Sequence, residues 1–528
     1  MTVYSAEHLE PALSSWPTKL ANLADPILQS LRKSARRRLV EAAGQFVAVL
    51  SETSHPDKRS AVNQSLLTGD PDTTAVIMTG HQPVIFHSGL TFKYETTEEF
   101  AATNDLIAVA VVIDTDEGDA GEFAFPAVHV SGPSAPAHKR YDRYATADRP
   151  DSFPAVELPQ LIAASASFGQ TTSLYSAARL KPAAELRAVA SRVADSLLRL
   201  GLPAEAERLQ YVAANYAMLQ TRPMREANLI VRRNEGIGGR MLELPLSTIC
   251  GFPEVVAVTE ELLARPLEFA QCYNETLNTF RAEHKIRNEA NPFPNLQIEP
   301  DVCELPFWIV DHAHGTRTIL KVGNAVAVGP QAFTGCGKQL VPRGALITAM
   351  LRLLFSDLFV HGTGGGRYDR YTDQLIRAWW HVEPPPIAVA SASRYLFEKE
   401  RAELSRLWRI SEQLRDLQFN PQRHFGTGVF SSTLESTLNS LVRKKDDAVE
   451  QMKQVREAGQ SARDIGREIQ QTGDAIKNLV AAEFESPLAQ LRGLSEENIA
   501  VLGSRTWPWF FFRGVAGDDT HPLARAAP

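Results

Sequence analysis

The feature that most narrows the fold lies between residues 75 and 113, where a short apolar run, a turn-rich loop, a helical stretch and a second apolar run follow one another. Residues 75–78 (AVIM) read as a strand and 79–89 as a loop carrying Gly80, His81, Gln82, His87 and Gly89. Residues 90–103 read as a helix that contains Lys93, and 106–113 (LIAVAVVI) as a buried strand. Two strands joined through a helix run parallel, because only a crossover returns the chain to the same end of the sheet. Such sheets are covered by helices and collect ligands at the carboxyl ends of their strands. The topology therefore predicts an α/β fold in which Gly80-His81-Gln82 and Asp114-Thr115-Asp116 share one rim.

A second α/β stretch is expected further on. A helix over 343–354 leads to a strand at 358–360, then to the loop HGTGGGRYD (361–369), a helix from Thr372 and a closing EPPP at 383–386. Between the two stretches, 180–235 is mainly helical and 305–322 reads as a hairpin. Residues 26–52 form one amphipathic helix, whose basic runs Arg32-Lys33 and Arg36-Arg37-Arg38 are expected on a solvated face. From Leu396 the spacing turns heptad-like. Leu396, Leu404, Leu407, Leu414 and Leu417 come first, and FNPQRHFGTG breaks the pattern. Leu434, Leu438, Leu441, Ala448, Met452, Val455, Ala462, Ile469 and Ile476 resume it, with Lys445, Gly459, Gly466 and Gly473 as imperfect members. Two such helices predict an antiparallel coiled hairpin that projects from the body and joins two copies. WPWFFF (507–512) is too apolar for a free tail and suits a plug in the core or at a dimer interface. The expected divisions are a helical segment (1–70), an α/β core (71–395, with connecting regions at 150–300), the arm (396–495) and a packed tail (496–528).

Composition excludes several classes. At 44% hydrophobic and 22% charged residues the chain suits a globular protein, and a net charge of -7 gives no general reason to bind nucleic acid. The apolar run at 106–113 is too short to span a bilayer, and the N-terminal residues show no secretory pattern. No membrane association and a cytoplasmic location are expected. Cys250, Cys272, Cys303 and Cys336 lack metal-ligand spacing and are expected as reduced thiols.

No standard nucleotide motif is complete. GKQ (337–339) lacks the glycine five residues earlier, where Ala332 stands, and has Gln339 in place of Ser or Thr. Gly362-Thr363-Gly364 begins a dinucleotide fingerprint, but Arg367 holds the last glycine position. The glycine cluster reads either as an anion cradle or as a tight strand-to-helix turn. His312 and His314 read as exposed turn histidines, with no third ligand at a useful spacing. Asp114, Asp116, Glu117 and Asp119 crowd one strand end, where carboxylates bind an amine, hold a cation or act as a base. A solvated acidic loop is the alternative.

Several separated segments resemble one family, the cysteine-adding enzymes of bacillithiol synthesis (BshC). TGHQPVIFHSGLTFKY (79–94) resembles the start of that family's Rossmann-like core, and VVIDTDEGDAGEF (111–123) its next strand and acidic cluster. ELPFWIVDHAHGTRTIL (304–320) resembles its hairpin, and residues 340–386 resemble its Ser-Pro-Arg helix, its glycine loop and its proline-rich exit. His81 stands where the family usually has glutamine, the acidic cluster is rearranged, and the glycine loop has lost its glutamate. The resemblance implies a Rossmann-like parallel-sheet core with inserted helical segments and the C-terminal coiled hairpin. It also implies a ligase that forms an amide between cysteine and an amino-sugar acceptor such as glucosaminyl-malate. On this reading His81 is the general base, and Asp114 and Asp116 bind the substrate amine. Gly80, Gln82, Gly89, Lys93, Arg343, His361, Gly362, Gly364, Gly365, Tyr368 and Asp369 hold substrate or an anionic group. A nucleotide is the candidate cofactor, and a homodimer through the arm is expected. The alternative is a dimer on the same fold that binds a nucleotide or sugar phosphate without this catalysis.

Overall fold

The computed structural model describes residues 8–10, 16, 26–52, 65–128, 161–170, 173–324, 329–334, 337–494 and 496–513. Residues 54–64, Cys336 and the tail beyond residue 513 lie outside the described residues. Nearly continuous apolar runs build the centre of the main sheet, with strands in the order His8–Glu10, Ile387–Ser391, Leu358–His361, Val76–His81, Ile107–Val112, Leu242–Pro245. The last five are mutually parallel, and His8–Glu10 is an antiparallel edge. The fold is α/β and Rossmann-like. Chain order runs outward from Val76–His81 in one direction and resumes beside it with Leu358–His361, so these neighbours flank the point where the winding reverses. Open parallel sheets bind ligands in the crevice at that point.

Strand side chains alternate between two cores. Ile77, Ala108, Ala110, Val112, Leu358 and Val360 face one. Val76, Met78, Ile107, Val109, Val111 and Phe359 face the other. The helix Ser88–Thr103 and the helices Ala183–Arg199, Pro203–Ala217 and Met224–Asn234 contribute to the first core. Pro26–Glu52, Ala345–Leu354, Thr363–Trp380, Pro253–Ala264 and Pro266–Glu283 contribute to the second, with the three-stranded sheet Val302–Asp311, Thr316–Gly323, Lys338–Pro342. GKQ therefore enters the third strand of that sheet. The basic face of Pro26–Glu52 is only partly solvated, which corrects the sequence reading. Lys33, Arg37 and Arg38 are exposed, but Arg32 is buried and meets Asp357 at 3.1 Å, and Arg36 reaches the same carboxylate at 2.5 Å.

Three further boundaries differ from expectation. The first strand runs on through Thr79, Gly80 and His81, because these pair in register with Ala110, Val111 and Val112. The helix expected from Thr372 begins at Thr363, so the glycine cluster is its first turn and not a loop. Glycine disfavours helix locally, and close packing overrides that preference. A Cβ on Gly366 would lie 2.2 Å from Val389, an approach that only glycine permits. The arm has three helices, Glu398–Phe419, Ser432–Glu457 and Arg463–Gly493, because the register breaks at Gly459, where φ is +72°. The second and third form the antiparallel hairpin, and the first packs along the third. WPWFFF packs on the body: Trp507, Trp509, Phe510 and Phe511 are buried in the first core, with Phe510 edge-on to Phe123. No helix among the described residues is long and apolar enough to cross a membrane.

Candidate functional site

A cavity of about 450 Å³ opens where the winding reverses, lined by the ends of Val76–His81 and Leu358–His361. Gly80, His81, Gln82, Asp116, Arg343, His361, Gly365, Tyr368 and Asp369 all line it. Segments far apart in sequence thus converge on one crevice, as the parallel topology predicts. Gly89, Lys93, Asp114, Gly362 and Gly364 are not in its lining.

The excluded residues have other work. Asp114 is fully buried and accepts from Arg225 Nη1 at 2.5 Å, Ser247 Oγ at 2.6 Å and the Ser247 amide at 3.0 Å. Its oxygens are committed to the first turns of the helices Met224–Asn234 and Leu246–Ile249, and it does not line the cavity where an amine ligand was expected. Lys93 reaches the Gly80 carbonyl oxygen at 2.8 Å and so braces the strand end. Gly89 sits in the first turn of its helix, against Ser391 and Ala392, where it serves packing. Gly362 caps the helix Thr363–Trp380 without a side-chain hydrogen bond, and a Cβ on Gly364 would meet nothing within 4 Å.

The polar lining divides into two groups. At one end Gln82 Nε2 donates to Asp116 Oδ2 at 2.8 Å, while Arg317 Nη1 donates to Asp116 Oδ1 at 2.6 Å. His81 stands beside them, with Nδ1 3.1 Å from the Gln82 carbonyl oxygen and its ring edge-on to Phe86. Burial and the nearby Lys93 ammonium push the His81 pKa down to about 3, so the ring is neutral near pH 7. At the other end Arg343 pairs with Glu304, and its guanidinium lies 4.8 Å from the centre of the Trp308 ring. Arg317 stacks on the same indole at 4.3 Å. The helix Ala345–Leu354, capped by Gly344, and the helix Thr363–Trp380 both begin here without a side-chain cap. Their first-turn amides and aligned peptide dipoles favour negative charge.

Tyr273, Phe293, Leu296, Trp308 and Tyr368 supply an apolar, largely aromatic wall. Sequence reasoning missed most of this wall, together with Glu304, Arg317 and Thr348. Trp308 and Arg317 lie inside the expected hairpin, whose alternation defines its two faces. Where that hairpin rests against the sheet edge is a long-range relationship that no local pattern encodes. His312 and His314 pair with Gln339 and Asp311, as ordinary turn residues do. No group of three potential metal ligands occurs among the described residues, and Cys250, Cys272 and Cys303 are free thiols. No protein-family model matches the chain, and no curated protein matches it closely enough to count as a relative.

Proposed function

We propose that the chain is a carbon–nitrogen ligase that joins an amino acid, cysteine on the resemblance, to the amine of an amino-sugar acceptor. One observation carries this reading. The cavity at the reversal point draws its polar lining from the segments that resemble the cysteine-adding enzymes: 79–94, 111–123, 304–320 and 340–386. Amide formation needs a deprotonated amine, an activated carboxyl and positive potential where oxygen charge grows. Arg343 and the two uncapped helix starts supply that potential. Asp116 keeps lone pairs for a substrate ammonium beyond those used by Gln82 and Arg317. Neutral His81, donating Nδ1–H to the Gln82 carbonyl, presents Nε2 as a hydrogen-bond acceptor. The aromatic wall suits the apolar face of a sugar ring.

The reading is tested in the producing cell. Deleting the gene for this chain should remove bacillithiol, and restoring it should bring the thiol back. A second reading, a dimer that binds a nucleotide or sugar phosphate without making the amide, is favoured by the same aromatic wall beside Arg343. Unchanged thiol levels after deletion, with phosphate-ester binding by the purified protein, would establish it instead.

A further inference from the structure

One histidine in the cavity is paired with a buried carboxylate. His361 ends the strand Leu358–His361, is 8% exposed, lines the cavity and packs its ring against Phe359. Its Nε2 lies 3.0 Å from Asp369 Oδ2. Asp369 is itself buried, with Arg352 Nη1 donating to the same oxygen at 2.7 Å and Thr348 Oγ1 to the other at 2.5 Å. Burial alone would raise the Asp369 pKa, but Arg352, His361 and Thr348 outweigh it and hold the carboxyl below the ordinary range. Asp369 is therefore a carboxylate that can only accept, and the ring must offer it Nε2–H. In the neutral ring, Nδ1 then carries the lone pair.

That nitrogen has no hydrogen-bond partner among the described residues. It lies 2.7 Å from the position a Cβ would take on Gly365, which itself lines the cavity. Any side chain at 365 would crowd or cover Nδ1, and glycine leaves it open. The sequence HGTGGGRYD thus acquires a second meaning. Its histidine and its aspartate, eight residues apart, meet because the strand end and the first helical turns fold against each other.

We propose that His361 is the proton-transfer residue of this cavity, and that Asp369 is the positioning residue that fixes its tautomer. The inference rests on the amide-forming reading, with the amino acid presented as an acyl phosphate. The substrate amine attacks the acyl carbon, the C–N bond forms, and phosphate leaves with the electron pair of the broken C–O bond. The proton lost by nitrogen passes to His361 Nδ1, and Asp369 steadies the imidazolium. His81 suits this task less well, because burial opposes a positive charge on its ring.

The test combines kinetics with a spectroscopic readout of the ring. In assays with cysteine, glucosaminyl-malate and a nucleoside triphosphate, His361→Gln should lower kcat at least about a hundredfold. KM should stay within about threefold. Gly365→Ala should do likewise while leaving the Asp369–Arg352 pair intact, so it guards against a folding defect in Asp369→Asn. Retention of wild-type kcat by His361→Gln overturns the proposal. If the wild type forms no amide, the substrate reading fails by itself, and long-range ¹H–¹⁵N correlation of the histidine rings decides the dyad. A neutral His361 ring with its proton on Nε2, a tautomer lost in Asp369→Asn, supports it. A neutral ring with its proton on Nδ1 overturns it.

Discussion

Lys93 donates its ammonium to the carbonyl oxygen of Gly80 at 2.8 Å, and no carboxylate pairs with it among the described residues. The residue is 3% exposed, and burial pushes its pKa from 10.5 down to about 7. Between those values the unfolded chain holds a proton that the folded protein lacks. The lysine's contribution to stability therefore improves as pH rises through that window, and its penalty is complete below pH 7.

Lys93→Met should accordingly be more stable than wild type at pH 6, with an advantage that shrinks as the pH climbs from 7 toward 10. Loss of the Gly80 hydrogen bond subtracts about 1 kcal/mol at every pH. Urea unfolding of both proteins at pH 6 and pH 9 measures the trend. An advantage that does not change with pH would mean that Lys93 is not driven toward its neutral form by folding.

Asp114 and Asp116 stand two residues apart and should respond in opposite ways. Asp114→Ala takes the partner from half-buried Arg225 and the acceptor from Ser247, and losing hydrogen bonds to a charged group costs about 1.5–3 kcal/mol. Thermal unfolding should show that loss. Asp116→Asn changes a half-exposed lining residue and should cost under about 1 kcal/mol while weakening substrate binding. Equal stability losses in the two variants would contradict the division between brace and ligand.

The arm provides the third test. Leu438 is consumed inside its own three-helix cluster, whereas Leu441, Met452, Val455 and Ile469 are only half-buried. We propose that a second copy covers these partly open positions. Each large aliphatic side chain removed from water contributes about 1.5–3 kcal/mol, so several together outweigh the association cost. Sedimentation should find a dimer for the wild type and a monomer for Leu441→Glu/Val455→Glu. A monomeric wild type at micromolar concentration removes the proposal.

The parts of the fold legible in the sequence were those written in local periodicity. The valine-rich run at 106–113 specifies a buried strand, and parallel pairing follows from the helix before it. That topology carried His81 and Asp116 to one rim. What stayed hidden depended on partners distant in sequence. Nothing beside Asp114 announces Arg225 or Ser247, so Asp114 looked like a ligand although its oxygens hold the protein's own groups. The glycines at 364, 365 and 366 predict a loop by propensity, yet contact with Val389 and the Asp369 network draws them into a helix. Gly459 was visible as an imperfect heptad member, and only its left-handed backbone shows that it ends the helix.

Amide formation in this cavity is read directly from its products. Purified protein is incubated with cysteine, glucosaminyl-malate and a nucleoside triphosphate, and the products are read by mass spectrometry. The comparison is the double variant Arg343→Met/Glu304→Gln, which removes both charges and leaves no orphaned carboxylate. Wild type should form a product with the summed mass of the two substrates less one water, and the variant should form it at least about a hundredfold more slowly. No such product from the wild type, or equal rates from both proteins, would contradict it.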